Sequence, residues 1–251
     1  MPTAIPVTPT LLLTVGAGAL LAGFVTGLAG FGTGLAALGF WLHVIDPLLA
    51  APLVVICSVV GQAQSLMTVR KAIDLSRLWP FVLGGLLGVP LGVSTLAYVE
   101  ADAFRAAVGL FLVAYTSLML WSRSLPVVAW GGRAADGAVG FGGGVLGGAA
   151  GLSGPLPTIW CGLRGWNKDQ QRAVFQPFNL SVLGWALIAY WTQGVLTAEV
   201  ATLTLICLPG TLLGAWLGAR SYGRVDDRQF RIIVLWLLFA SGATLTLSNA
   251  F

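Results

Sequence analysis

The chain has 251 residues, of which 57% are apolar and 9% charged, with a mean hydropathy of +0.89 and a formal charge of +4. A soluble domain carries about 25% charged residues, so a water-exposed surface over most of this chain is excluded, and nothing marks a nucleic-acid partner. Cys57, Cys161 and Cys207 stand alone, without CxxC or Cys/His spacing. They read as small apolar packing residues, and no metal or cofactor is expected.

No Lys or Arg precedes Leu11, so the basic start of a signal peptide is missing and the fold is read from Leu11 onward. Residues 11–44 form a long apolar stretch broken by Gly27-Leu28-Ala29-Gly30-Phe31-Gly32-Thr33-Gly34. Runs at 47–69, 78–98 and 103–121 follow, each near the roughly 20 residues that cross a hydrocarbon core. The pattern then recurs. Residues 137–163 are broken by Gly147-Gly148-Ala149-Ala150-Gly151-Leu152-Ser153-Gly154-Pro155, and runs at 173–192, 199–219 and 230–249 complete the chain. Each Gly inside a helix costs about 1 kcal/mol relative to Ala, and Pro155 and Pro157 oppose continuation further. Each broken stretch is therefore one full crossing with an unwound middle, or a hairpin that enters and returns.

Basic residues separate the two alternatives, because cytoplasmic loops collect them. With two full crossings the thirteen Lys and Arg divide eight against five. With two re-entrant hairpins, twelve of them, from Arg70 to Arg231, share one side and only Arg105 is left on the other. The second division is much the cleaner, and Asp46, Glu100, Asp102 and Glu199 then fall on the outer face. The expected arrangement is six spans and two hairpins, with both termini outside. By this reading every acidic residue lies in a loop or at the end of a span. Residues 11–28 would make about 27 Å of helix, long for an arm that goes half-way.

The halves resemble one another. Gly27 to Gly32 aligns with Gly148 to Ser153 at an offset of 121; Gly84, Gly88 and Gly92 align with Gly210, Gly214 and Gly218 at 126, as Phe104-Arg105 does with Phe230-Arg231. Three spans per half make an odd number of crossings, so the second half inserts upside down. The expected fold is all-α and integral to the membrane. Two inverted repeats, residues 1–125 and 126–251, each hold a broken re-entrant helical hairpin and three transmembrane helices, an architecture recurrent in secondary transporters. The glycine ladders suit close packing between repeats, and a homodimer contact is left open.

Gly30-Phe31-Gly32-Thr33-Gly34, Gly151-Leu152-Ser153-Gly154-Pro155, the short polar link at Asp74-Leu75 and the ladder at Gly84, Gly88 and Gly92 together resemble the TauE/SafE sulfite-exporter family, also called the 4-toluene sulfonate uptake permease family. Length and duplicated layout match over essentially the whole chain. The resemblance implies a transporter in a bacterial-type inner membrane that moves sulfite, sulfoacetate or a related small anion, commonly outward.

The residues themselves place an anion site at the two breaks. A return arm that starts inside the membrane aims its free backbone N–H groups and positive dipole end at the centre. Two such ends are expected to face one another, near Gly32, Thr33 and Gly34 and near Ser153, Gly154 and Pro155. Thr33 and Ser153 either cap the short helices or donate to a bound sulfonate. Ser58 and Gln62 share one helix face at a spacing of four, and Gln176 and Asn179 share another at three. Ser58 and Asn179 coincide at the offset of 121. These neutral groups complete the expected site, unless they only bond helix to helix. Two rivals remain. An anion channel would share the pathway, and Gly151-Leu152-Ser153-Gly154 spells the GxSG of a serine hydrolase. A hydrolase serine needs a histidine base in reach, and His43, the single histidine, is expected at the outer end of the first hairpin.

Overall fold

A computed structural model of the chain describes residues 8–69, 73–96, 98–121, 127–221 and 227–249. Among them the secondary structure is helical: α1 (Pro9–Ala29), α2 (Thr33–Trp41), α3 (Pro47–Val69), α4 (Leu75–Leu96), α5 (Ala101–Trp121), α6 (Gly132–Ala150), α7 (Pro155–Leu163), α8 (Lys168–Thr192), α9 (Ala198–Ser221) and α10 (Asp227–Asn249). Local chemistry sets the starts. Thr8 accepts from Leu11 N–H at the head of α1, and Asp74 accepts from the N–H and hydroxyl of Ser76 at the head of α4. Asn167 and Gln170 form a reciprocal capping box on α8.

Both broken stretches fold into antiparallel helical hairpins. Gly30, with φ +82°, ends α1, and Gly151, with φ +69°, ends α6 at the aligned position. This left-handed turn is open to glycine and costly for other residues. Beyond it α2 runs back along α1: Thr33 bonds Thr26 near the tip, and Trp41 Nε1 donates to Val15 O, 3.2 Å away, near the base. Likewise α7 returns along α6, with Ser153 packed on Gly147 and Trp160 Nε1 donating to Asp136 Oδ1 at 2.7 Å.

The remaining helices pair by direction. Gly23 meets Thr211 and Ala215 while Gly27 meets Ala215 and Ala219, so α1 and α9 run parallel. Gly84 meets Gly137 and Phe141 while Gly92 meets Val145 and Ala149, so α4 and α6 also run parallel. The two ladders lie in these seams, where a side chain in place of Gly88 or Gly214 would strike the facing backbone. Helices α5 and α10 run antiparallel: Gly109 sits between Gly242 and Thr246, and Gly242 between Gly109 and Val113. The partners α3 and α8 cross at the centre, carrying a buried core that includes Leu53, Val54, Phe178 and Val182.

Among the described residues, six helices are long and apolar enough to cross a membrane: α1, α3, α4, α5, α8 and α9. The first arm qualifies by its own 21 residues, and α3, α4, α5, α8 and α9 correspond to five of the six runs in the sequence pattern. Large apolar side chains lie exposed along outer faces, among them Leu83, Leu87 and Leu91 of α4 and Leu205 and Leu213 of α9, as lipid contact requires.

Charge gathers at the ends. At one end Arg77 lies over the Trp166 ring, Arg133 over Trp79, and Arg164 donates to Trp130 O. At the other, Arg105 pairs with Asp102 and donates to Leu42 O. Arg70, Lys71, Arg123 and Arg224, counted in the charge division, lie outside the described residues, as do Met1 and the boundary at 125–126. One acidic residue near a helix end is buried. Asp136 sits within α6, 5% exposed, held by the Trp160 indole.

Candidate anion-binding cavity

The two hairpin tips meet. A side chain on Gly34, in the first turn of α2, would lie 2.6 Å from Gly151 O, the residue that ends α6. Phe31 packs against Gly154, and Leu152 against Gly34. Each tip thus offers one apolar side chain to the other. Between them lies a cavity lined by Gly32, Thr33, Gly34, Ser58, Gln62, Ser153, Gly154, Asn179 and the flanking Leu35, Gly151, Leu152, Pro155 and Leu183. Of the nine residues singled out in the sequence, eight line it. The space measures about 10 Å³, on the scale of a single water. A sulfite ion would have to part the tips.

The donors are arranged as follows. Neither α2 nor α7 has a side-chain cap: their N-caps, Gly32 and Gly154, make none. In α2 the N–H groups of Thr33, Gly34 and Leu35 therefore have no acceptor within the helix, and the first intrahelical bond is Ala36 N to Gly32 O. The second tip is poorer. Pro155 and Pro157 occupy two of the first three positions of α7 and carry no N–H, leaving Leu156. The two ends that are expected to face one another are unequal as hydrogen-bond donors.

Side chains fill the remaining wall. Ser153 donates to Asn179 Oδ1 at 2.8 Å, both about 1% exposed. Thr33 bonds Thr26 rather than capping α2. Ser58 Oγ and Gln62 Oε1, each on a residue 2% exposed, have no hydrogen-bond partner. Leaving a buried polar group unpaired costs about 1–3 kcal/mol, so two in one cavity wall mark a place where a further partner fits. Ser181 on α8 does not join this wall and donates to Pro177 O.

Gln176 is the exception among the nine. It lies one turn before Asn179 and packs behind the first tip against Gly30. With its amide turned so that every donor finds an acceptor, it accepts from Ser65 Oγ at 3.1 Å and from Arg172 at 3.2 and 3.3 Å. Arg172 is 6% exposed and also reaches Gly27 O, at 3.5 Å, in the last turn of α1. Arg172 is one of the twelve basic residues that the charge division puts on one side, and the fold buries it. A signal was present: Arg172, Gln176 and Asn179 recur at helical spacing on one side of α8.

The pair that the rival hydrolase reading would need is not brought together. His43 is exposed and bonds Thr244 Oγ1 at 3.2 Å, while Ser153 is committed to Asn179. Cys57, Cys161 and Cys207 are free and buried, and among the described residues no three His, Cys, Asp or Glu cluster as metal ligands would.

No curated protein and no solved structure matches the chain. The family model described as sulfite exporter TauE/SafE matches residues 15–245, nearly the whole length, and the chain, with six spanning-length apolar helices among its described residues, belongs to that family of multi-pass membrane transporters.

Proposed function

We propose that the protein exports small sulfur oxoanions, sulfite or a sulfonate such as sulfoacetate, and that the anion binds between the two hairpin tips. The observation that carries this reading is the cavity itself. Uncapped N–H groups of α2 converge there with the partnerless Ser58 hydroxyl, which is free to donate. Hydrogen bonds from backbone amides to a charged oxygen are among the stronger ones, and the helix end adds its dipole. Asn179 Nδ2 faces Gly154 and would donate to the same guest. A tetrahedral or pyramidal oxoanion offers several acceptor oxygens to such a convergent set. A flat carboxylate offers two.

The tips act in a bilayer as re-entrant hairpins of two inverted repeats. Helix directions support this. The parallel pair α1–α9 and the parallel pair α4–α6 exchange roles when the halves are exchanged, and α5 and α10 are antiparallel. Two full crossings would have left α5 and α10 running the same way. The membrane is a plasma-type membrane with the termini outside and the Arg77–Arg133–Arg164 end within the cell. Export then needs no buried carboxylate, because an anion leaving a negative interior gains about 2.3 kcal/mol per charge per 100 mV.

The test is flux from liposomes containing the purified protein, with sulfite, sulfoacetate, taurine and acetate compared at equal concentration. Saturable flux of sulfite or sulfoacetate is expected, with the zwitterion taurine and acetate slower. Preference for taurine would remove the proposed site. Saturation also distinguishes a carrier from an open channel, in which flux rises linearly.

A further inference from the structure

The tips are alike in backbone and unlike in what covers them. Gly30 and Gly151 occupy aligned positions, both with positive φ and both covered by the early turns of a central helix. Over Gly151 lie Val54 and Val55 of α3, with nearest atoms 2.5 and 3.5 Å from where a Cβ would stand. Over Gly30 lie Gln176 and Arg172 of α8, whose polar ends come within 2.2 and 3.0 Å of where a Cβ would stand. At the offset of 121 that aligns the tips, Gln176 corresponds to Val55. One approach to the cavity is therefore cationic and hydrogen-bonding, and the pseudo-equivalent approach is aliphatic. No packing demand of the fold explains the difference, since the same turn is accommodated by valine in one half.

We propose that the Arg172–Gln176 face is the port through which the anion is loaded, and that Val54 and Val55 seal the opposite side. This rests on the reading of the cavity as the anion site. Arg172 stands seven residues before Asn179, about 10 Å along α8 at 1.5 Å per residue, with Gln176 between them on the same face. An oxoanion arriving at the guanidinium exchanges its water for a forked pair of N–H donors. It displaces the weaker, 3.5 Å contact to Gly27 O and moves by way of Gln176 toward Asn179. Phe31, stacked edge-on with Phe175 at 5.4 Å and resting on Gly154, is the side chain that must swing to admit it. On the valine side no donor awaits the anion, so return is slow. The port selects net negative charge; the cavity selects oxygen geometry.

Sulfite flux in liposomes far below saturation, measured across ionic strengths with the full-length protein, reads the port. Arg172→Gln is expected to slow flux at least about tenfold at low salt, the lower end of electrostatic steering, and to flatten its salt dependence; Arg172→Lys keeps most of both. Unchanged flux and salt slope in Arg172→Gln overturns the port. So does equal loss in both variants with the slope retained, which is what a purely structural Arg172 would give. Sidedness is read separately with Cys57, Cys161 and Cys207 replaced by Ala. In that background Gln176→Cys should react faster with a sulfonate-bearing thiosulfonate than with its trimethylammonium analogue, and Val55→Cys should lag far behind with either. Equal reaction at both positions, or indifference to reagent charge at 176, contradicts the proposal. Failure of the cavity reading looks different: Ser58→Ala and Asn179→Ala would then leave sulfite binding unaltered, whatever Arg172 does.

Discussion

Ser58 and Asn179 align in the duplicated sequence and share one cavity wall, yet their states differ. Asn179 is bonded to Ser153, whereas the Ser58 hydroxyl has no partner. Each is expected to donate to a bound oxoanion, and a hydrogen bond to a charged group is worth about 1.5–3 kcal/mol. Ser58→Ala and Asn179→Ala should each weaken sulfite binding by roughly ten- to a hundredfold, read by calorimetry on the detergent-solubilised protein. Ser181→Ala, whose hydroxyl is spent on Pro177 O, should change it little. Equal effects in all three would mean that the loss is general helix damage. Ser58→Ala has a second consequence. It removes a buried, partnerless hydroxyl, so stability without ligand should hold or rise while binding falls, a combination that a merely structural serine does not give.

Two elements test how the hairpins are held. In the α4–α6 seam, a side chain at Gly88 would run into Phe141 O and Val145 N. Overpacking of this kind costs about 1–3 kcal/mol or more, so Gly88→Leu should lower the thermal midpoint by several degrees. Gly184 on α8 has open space where its Cβ would lie. Gly184→Ala is expected to raise the midpoint slightly, through a helix-propensity gain of up to about 1 kcal/mol. The second hairpin depends further on Asp136, which accepts from the Trp160 indole at 2.7 Å where the first hairpin uses a backbone carbonyl, Val15 O. Asp136→Asn keeps an acceptor and should be tolerated. Asp136→Leu orphans the indole N–H and should destabilise by about 1–3 kcal/mol, measured by thermal shift.

At the scale of the whole molecule, the fold is a set of paired helices around two interlocked tips, with basic and aromatic residues gathered at one end. Trp130 rests edge-on against Trp160, and Val128 N–H donates to Leu163 O, so the start and end of the second hairpin lie together. Trp130→Cys and Trp166→Cys should therefore be labelled by an impermeant reagent from the same side of the membrane, and Asp46→Cys from the other. Labelling of Trp130→Cys and Trp166→Cys from opposite sides would turn the hairpin into a crossing and dismantle the anion site. The small cavity also carries a prediction: binding must separate Phe31 from Gly154 and Leu152 from Gly34. A disulfide joining the tips should abolish flux and be relieved by reduction.

Composition and periodicity determined that the chain is a helical membrane protein. Apolar length alone marks a span in a solvent that cannot hydrogen-bond a bare backbone. Glycine breaks located both tips, and the aligned spacing of Ser58 and Asn179 brought eight of nine site residues to one cavity, because helical periodicity fixes which side chains share a face. What lay beyond the sequence was decided by neighbours distant in the chain. Gln176 shares a face with Asn179, but the fold of the first hairpin puts Gly30 over it and takes it out of the wall. Arg172 has the spacing and charge of a surface residue, and the fold buries it against Gly27 O, Gly30 and Gln176. Asp136 reads as the polar edge of a span until Trp160, 24 residues on, folds back to meet it. Burial and hydrogen-bond partnership are properties of pairs, and no single stretch of chain contains both members.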